Sequence, residues 1–252
     1  RRVRPRVRAA VHPDGPRLLV SAAIELDREQ LVRRRVLLLP HAHGERAALP
    51  EELKDVQQGG SHVQNLIPIP GCRVTAVCDI VPERTDWATK QITGAGHPAP
   101  AVYNKGPRDF ERLCETEDLD LVYTATPWEW HVPVLLSAMK NGKHAATEVP
   151  AAMTLDDCWA MVETAEKLRK HCVLMENCNY DRMEMMAYNM VRQGLFGEIL
   201  HAEGGYLHDL RAIKFENKNE GLWRRAWSMK LNGNPYPTHG LGPIAHCLDI
   251  NR

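Results

Sequence analysis

Four consecutive residues, Tyr236-Pro237-Thr238-His239, are the part of this sequence best equipped for proton chemistry. An imidazole titrates near neutral pH and a phenol can carry the proton of a reacting hydroxyl, so the two form a candidate acid–base pair. A lone histidine is usually structural. This run, however, lies in a stretch rich in Gly and Pro with no helix or strand period, which favours a functional loop. Other chemistries leave weaker marks. No convincing carboxylate pair is present for two-carboxylate acid–base hydrolysis. The seven cysteines (72, 78, 114, 158, 172, 178 and 247) are odd in number, are never spaced Cys-x-x-Cys, and in several cases sit inside apolar runs. They read as buried reduced thiols. His41-x-His43 has no partner pattern, and no metal site is assigned.

Groups like these need a rigid frame, and from Arg73 the chain supplies one. The strands are "RVTAVCDI", "LDLVYTAT", "HAATEV" and "CVLMENC". Between them lie helices: "PERTDWATKQITGAG", with Pro82 near its start, "PRDFERLCET", and "HVPVLLSAMKNGK", stopped by Asn141-Gly142. "TLDDCWAMVETAEKLRKH" has Thr154 as N-cap and acids in its first turn, and "DRMEMMAYNMVRQG" is closed by Gly194. Near-continuous apolar strands alternating with helices specify an α/β fold with a doubly wound, Rossmann-like parallel sheet. Ligands in such sheets gather at the carboxyl ends of the strands. Here those ends are Asp79, Thr126-Pro127-Trp128, Glu148-Val149 and Asn177. An acidic residue closing the second strand suits the adenosine ribose of a dinucleotide; the alternative is a turn or N-cap Asp ahead of Pro82. Where the glycine-rich phosphate loop belongs, only Gly59-Gly60 stands. After Gly197, "EILHAEGGYLHD" reads as a longer strand opening an α+β second domain that the sequence is expected not to complete.

The bulk properties narrow the class. Of 252 residues 44% are hydrophobic and 25% charged, with a formal net charge of zero, so no overall field draws the chain to nucleic acid or anionic lipid. No apolar run reaches the roughly 20 residues needed to span a bilayer. Residues 1–53 hold eleven Arg and no Lys, against eleven Arg and ten Lys afterwards, and read as a divergent Arg-rich segment. Within it, "RLLVSAAIEL" and "RRRVLLLP" are candidate short strands.

From about His62 to Arg252 the chain resembles the Gfo/Idh/MocA oxidoreductases and, within them, glycoside hydrolase family 109, the NAD-dependent α-N-acetylgalactosaminidases of bacteria. The motifs that carry this are "HVQNLIPIPG", "CDIVPER", "ATPWEWHVPV", "GKHAATEVPA", "MENCNYDRMEMM", "GGYLHDLRAIKF", "GLWRRAW" and "YPTHGLGPI". The resemblance implies a Rossmann-like NAD domain over residues 54–178 and the start of a substrate-binding and oligomerisation domain over 179–252. It implies NAD contacts from Gln58, Gly59, Asp79, Trp128, Glu129, Trp130, His131, Glu148, Val149, Asn177 and Tyr236. From the residues alone, Trp128 and His131 are equally explained by packing at a helix start, and Asn177 by a turn. Sugar contacts are implied from Tyr206, Arg225, Tyr236, Pro237, Thr238 and His239, with His208 and Arg224 in second rank.

The implied substrate is a glycoside ending in α-N-acetylgalactosamine. NAD takes a hydride from C3, a base removes the now acidic C2 proton, the C1 oxygen leaves, water adds and the hydride returns, with Tyr236 and His239 as the catalytic pair. The wider superfamily ends one strand in Glu-Lys-Pro with a catalytic Lys; here it is Glu148-Val149-Pro150, as the glycosidases have it. The alternatives are a sugar dehydrogenase of the same superfamily and an inactive fragment. Aligned on "HVQNL", Lys54 and Val56 replace the earlier phosphate-loop glycines, and their side chains would hold the backbone off a pyrophosphate. The expected setting is soluble, in the bacterial cytoplasm or exported to the periplasm, with homo-oligomers where the full C-terminal domain is present.

Overall fold

The computed structural model describes residues 34–40, 58–211, 215 and 220–250, within one compact unit, Arg33–Arg252. "RLLVSAAIEL", His41-x-His43, Lys54 and Val56 lie outside the described residues. Six parallel strands form one sheet: β1 (Arg34–Pro40), β2 (Cys72–Cys78), β3 (Ala101–Tyr103), β4 (Leu121–Ala125), β5 (His144–Thr147) and β6 (Cys172–Leu174), in the order β3-β2-β1-β4-β5-β6. β1 is central, with Val36 level with Val74 of β2 and with Leu121 of β4. The sheet thus reaches back into the Arg-rich segment. Chain order reverses between β1 and β4, which is where such sheets open a crevice for a dinucleotide.

Helices cover the sheet: α1 (Gln58–Leu66), α2 (Pro82–Gly94), α3 (Asp109–Thr116), α4 (Trp128–Lys140), α5 (Leu155–Leu168) and α6 (Arg182–Arg192). The local signals explain their ends. Pro82 opens α2 without losing a bonded N–H, and the Thr154 hydroxyl accepts the Asp157 N–H at 3.1 Å to cap α5. Gly194, at φ +71°, supplies the left-handed turn beyond α6. One core layer packs Leu113, Val122, Val134, Leu135, Ala138 and Met139; the other packs Val63, Val77, Ala88, Ile92 and Tyr123. All seven cysteines are free. Cys78 and Cys114 are buried as expected, while Cys158 is exposed. Among the described residues no helix is long and apolar enough to cross a membrane.

The second part departs from the sequence reading. Residues 198–209, expected as a strand, belong to no ladder, because no neighbouring strand among the described residues is available to pair with them. The short β3, "AVY", carried too little pattern to be expected. The Trp- and Arg-rich stretch is helix α7 (Glu220–Lys230), and the Tyr-Pro-Thr-His run, expected as loop, opens helix α8 (Pro237–Cys247). Pro237 is well placed as its first residue, and packing tolerates Gly240, Gly242 and Pro243 further along.

The glycines have a steric reason. A Cβ on Gly240 would lie 2.8 Å from the Gly205 nitrogen, and one on Gly204 would lie 2.8 Å from the Gly240 carbonyl oxygen. Backbone therefore meets backbone, and α8 is set against the segment carrying Tyr206. A Gly in an exposed helix gains about 1 kcal/mol on change to Ala. Gly240→Ala should instead lose about 1–3 kcal/mol in urea unfolding, because neither backbone can withdraw. Leu135→Ala, in the fully buried layer beneath α4, should cost about 2–5 kcal/mol by the same measurement.

Candidate active site

At the carboxyl end of β2 the Asp79 side chain is 1% exposed. Its Oδ1 accepts the Val81 N–H at 2.8 Å, and its Oδ2 lies 3.8 Å from Arg84 Nη1. Burial raises its pKa to about 7, against the pull of Arg84. The turn role and a ligand role are both served, because only Oδ1 is used by the turn. Asp79 Oδ2 and both Arg84 Nη atoms are buried without hydrogen-bond partners. Such groups are costly unless something completes them. Beside them Cys78, Ile80, Pro107, Phe110, Thr126 and Trp130 line a small pocket.

The ends of β4 and β5 are braced from beneath. His131 is 1% exposed, with Nδ1 2.6 Å from the Pro150 carbonyl and Nε2 2.8 Å from the Thr126 carbonyl. Burial lowers its pKa while those two carbonyls pull it up. Both nitrogens face backbone carbonyls, which places His131 in the scaffold beneath the strand ends. Glu148 meets His62 Nε2 at 2.6 Å and the Tyr123 hydroxyl at 3.0 Å. Burial would raise the Glu148 pKa, but His62 and Tyr123 outweigh it and the carboxyl stays below its ordinary value. This cluster ties α1 to β4 and β5. Gln58 and Gly59 form the first turn of α1, with Gly59 buried. Val149 is buried and apolar. Trp130 packs edge-on against Phe110, and exposed Glu129 accepts the Trp227 Nε1–H at 2.5 Å from α7.

The proton-transfer pair sits where α8 begins. Tyr236 and His239 stack at 5.3 Å between ring centroids, 17° from parallel. The Tyr236 oxygen accepts from Arg224 Nη1 at 2.6 Å and from Trp128 Nε1 at 3.2 Å. Trp128 is buried, edge-on to Trp223 at 5.0 Å. His239 Nδ1 lies 2.5 Å from Glu176 Oε1, and Glu176 is 3% exposed. The Cys178 N–H donates to the same oxygen at 3.1 Å, and Glu176 Oε2 is buried without a partner. Burial and the Glu176 carboxylate push the Cys178 thiol up to about 11. Tyr206 stands edge-on to His239 at 4.6 Å, and its hydroxyl meets His208 Nδ1 at 2.8 Å. Thr238 Oγ1 is buried without a partner, while Pro237 is exposed.

Tyr206, Tyr236 and His239 therefore converge, with Trp128 against Tyr236. Asn177 opens the 3-10 turn Asn177–Asn179 and is exposed. On α7 it is Arg224, not Arg225, that reaches Tyr236; Arg225 is half-buried one position on, about 100° round the helix. Sequence reasoning missed Glu176, Arg84 and His62. Glu176 stands one residue before the strand-end Asn177, and a carboxylate in an apolar strand, "VLMEN", was the signal available.

Two family models match the chain: "Oxidoreductase family, NAD-binding Rossmann fold" over residues 50–177, and "Glycosyl hydrolase 109, C-terminal domain" over residues 180–252. A glycosyl hydrolase family 109 protein of Saccharopolyspora erythraea is 50% identical over 196 residues, 77% of this chain and 43% of that protein. The α-N-acetylgalactosaminidase of Shewanella oneidensis is 46% identical over 197 residues, 78% of this chain and 43% of that protein. The chain thus spans less than half the length of these relatives. In fold it is similar to scyllo-inositol dehydrogenase of Lactobacillus casei, solved with NAD(H) and scyllo-inositol, at a TM-score of 0.53 and 20% identity over 66% of this chain and 43% of that one. The chain belongs to the oxidoreductase family with an NAD-binding Rossmann fold, and its residues 180–252 match the C-terminal domain of glycosyl hydrolase 109.

Proposed function

We propose that this site cleaves terminal α-N-acetylgalactosamine from a glycoside by a redox-neutral, NAD-dependent cycle. The observation that carries the reading is the stacked Tyr236–His239 pair, its imidazole held by Glu176 and its phenol by Arg224 and Trp128. The name of the Shewanella oneidensis relative supports the substrate class.

The residues present fit the cofactor. Asp79 Oδ2 and the Arg84 Nη atoms, an ion pair at 3.8 Å that makes no hydrogen bond, are what ribose hydroxyls would complete, and Trp128 with Tyr236 offers aromatic surface for a nicotinamide at the end of β4. When bound, NAD supplies reversible oxidation at a sugar carbon, which makes the neighbouring C–H acidic. As the phenolate, which the Arg224 guanidinium at its oxygen stabilises, Tyr236 takes the proton of the hydroxyl being oxidised and becomes the neutral phenol. With Nδ1 tied to Glu176, His239 exchanges the acidic carbon's proton through Nε2. The Glu176 carboxylate fixes the ring and stabilises the imidazolium that forms. A sugar dehydrogenase is the second reading; Val149 disfavours it, because an apolar side chain stands where that chemistry wants an ammonium.

Incubated with NAD and an aryl α-N-acetylgalactosaminide, the chain should release the phenol with no net NADH; steady NADH from free N-acetylgalactosamine would instead favour the dehydrogenase. His239→Ala should lower release by about 10²–10⁴-fold while NAD stays bound, and near-normal turnover would remove His239 from the mechanism. The ionised form of Asp79 is the better acceptor for ribose hydroxyls. NAD affinity should therefore rise about tenfold between pH 6 and 8, through the Asp79 pKa of about 7, and Asp79→Asn should flatten that rise in calorimetric titrations. The free chain has the opposite sign: the Asp79 contribution to stability is complete below its ordinary value of 3.8 and is lost as pH rises through about 7.

A further inference from the structure

Glu176, Cys178 and His239 bring a carboxylate oxygen, a thiol sulfur and an imidazole nitrogen within 4.8 Å of one another. Their sequence spacing carries no metal signature, since the histidine lies 63 positions from the carboxylate. The fold makes the set: the turn after β6 gives Glu176 and Cys178, and the first turn of α8 gives His239. These are not solvated surface acids. The Glu176 and His239 side chains are 4% and 9% exposed, and Cys178 is half-buried. The hydrogen bond to His239 leaves one Glu176 oxygen unused, because Oε2 is buried with no partner.

We infer that Glu176, Cys178 and His239 form a binding site for a divalent transition metal of zinc type, and that metal held there inhibits the enzyme. Mixed S, N and O donors select a borderline metal over magnesium or calcium, which require oxygen ligands alone. Tetrahedral bonds of about 2.0 Å to nitrogen and oxygen place those atoms about 3.3 Å apart. The Glu176–His239 pair at 2.5 Å need only part slightly while Cys178 closes in. On binding, the Cys178 S–H proton passes to solvent and a thiolate–metal bond forms, while the His239 proton moves from Nδ1 to Nε2 and Nδ1 exchanges its hydrogen bond to Glu176 for a bond to the metal. No oxidation state changes. The fourth position is left to water. Inhibition follows because the carboxylate and imidazole that move the proton are then ligands; this half rests on the function proposed above, whereas the site itself does not.

The test begins with chelator-treated, desalted chain titrated with Co²⁺ alone. One equivalent should bring up a thiolate-to-cobalt charge-transfer band in the near ultraviolet, absent in Cys178→Ser and weakened in Glu176→Gln. No band in the unmodified chain, or one unchanged in Cys178→Ser, overturns the site. In the second arm Zn²⁺ should lower aryl glycoside cleavage more than about tenfold at saturation, with chelator restoring it. Cys178→Ser should keep the metal-free rate and need at least about tenfold more Zn²⁺, and equal sensitivity of the two proteins overturns the inhibition. A cobalt band in a chain with no glycosidase activity supports the site and rejects the proposed function instead.

Discussion

The buried contact between Glu176 and His239 is the constraint on which the candidate site depends. A carboxylate withdrawn from water is costly unless it is paired, and here the pairing joins two parts of the chain 63 positions apart. It fixes the start of α8 against the turn beyond β6, and with it the ring of Tyr236. The close approach of Gly240 to Gly204 and Gly205 secures the same docking by steric means, because no side chain keeps the backbones apart. Polar pairing sets the register and backbone packing sets the distance.

The parallel sheet does the gathering. Strands in one direction end along one edge, so Asp79, Trp128, Glu148 and Glu176 come together although nearly a hundred positions separate the first from the last. That edge is held from below by buried polar contacts. His131 ties the Thr126 and Pro150 carbonyls together, and His62 joins Glu148 and Tyr123. His131 faces backbone carbonyls with both ring nitrogens, whereas His62 makes its two contacts through Nε2.

The strands and helices of the nucleotide half were legible because their signals are local. Apolar runs in β2, β4 and β5, Pro82 at the head of α2 and the Thr154 cap each act within one turn or one strand. The chain from residue 201 was less legible for the converse reason. A strand exists only with a partner, so "EILHAEGGYLHD" satisfied the pattern without forming a ladder. Helix α8 forms although Gly and Pro argue locally against it, since docking against residues 204–205 outweighs propensity.

By itself the sequence determined the kind of fold and the family, and it named the aspartate that closes β2 and the Tyr236–His239 pair as candidates. Each is a matter of residue type, short-range period or local motif. Only the tertiary structure decided which groups serve that pair. It set Arg224 against Tyr236, while helical rotation turns Arg225 about 100° away. It brought in Glu176 and Cys178, withdrew His131 into the scaffold, and left Asp79 Oδ2 and the Arg84 guanidinium buried and unsatisfied. These outcomes depend on distances across the fold and on which polar atoms burial leaves without a partner, and neither is written in residue order.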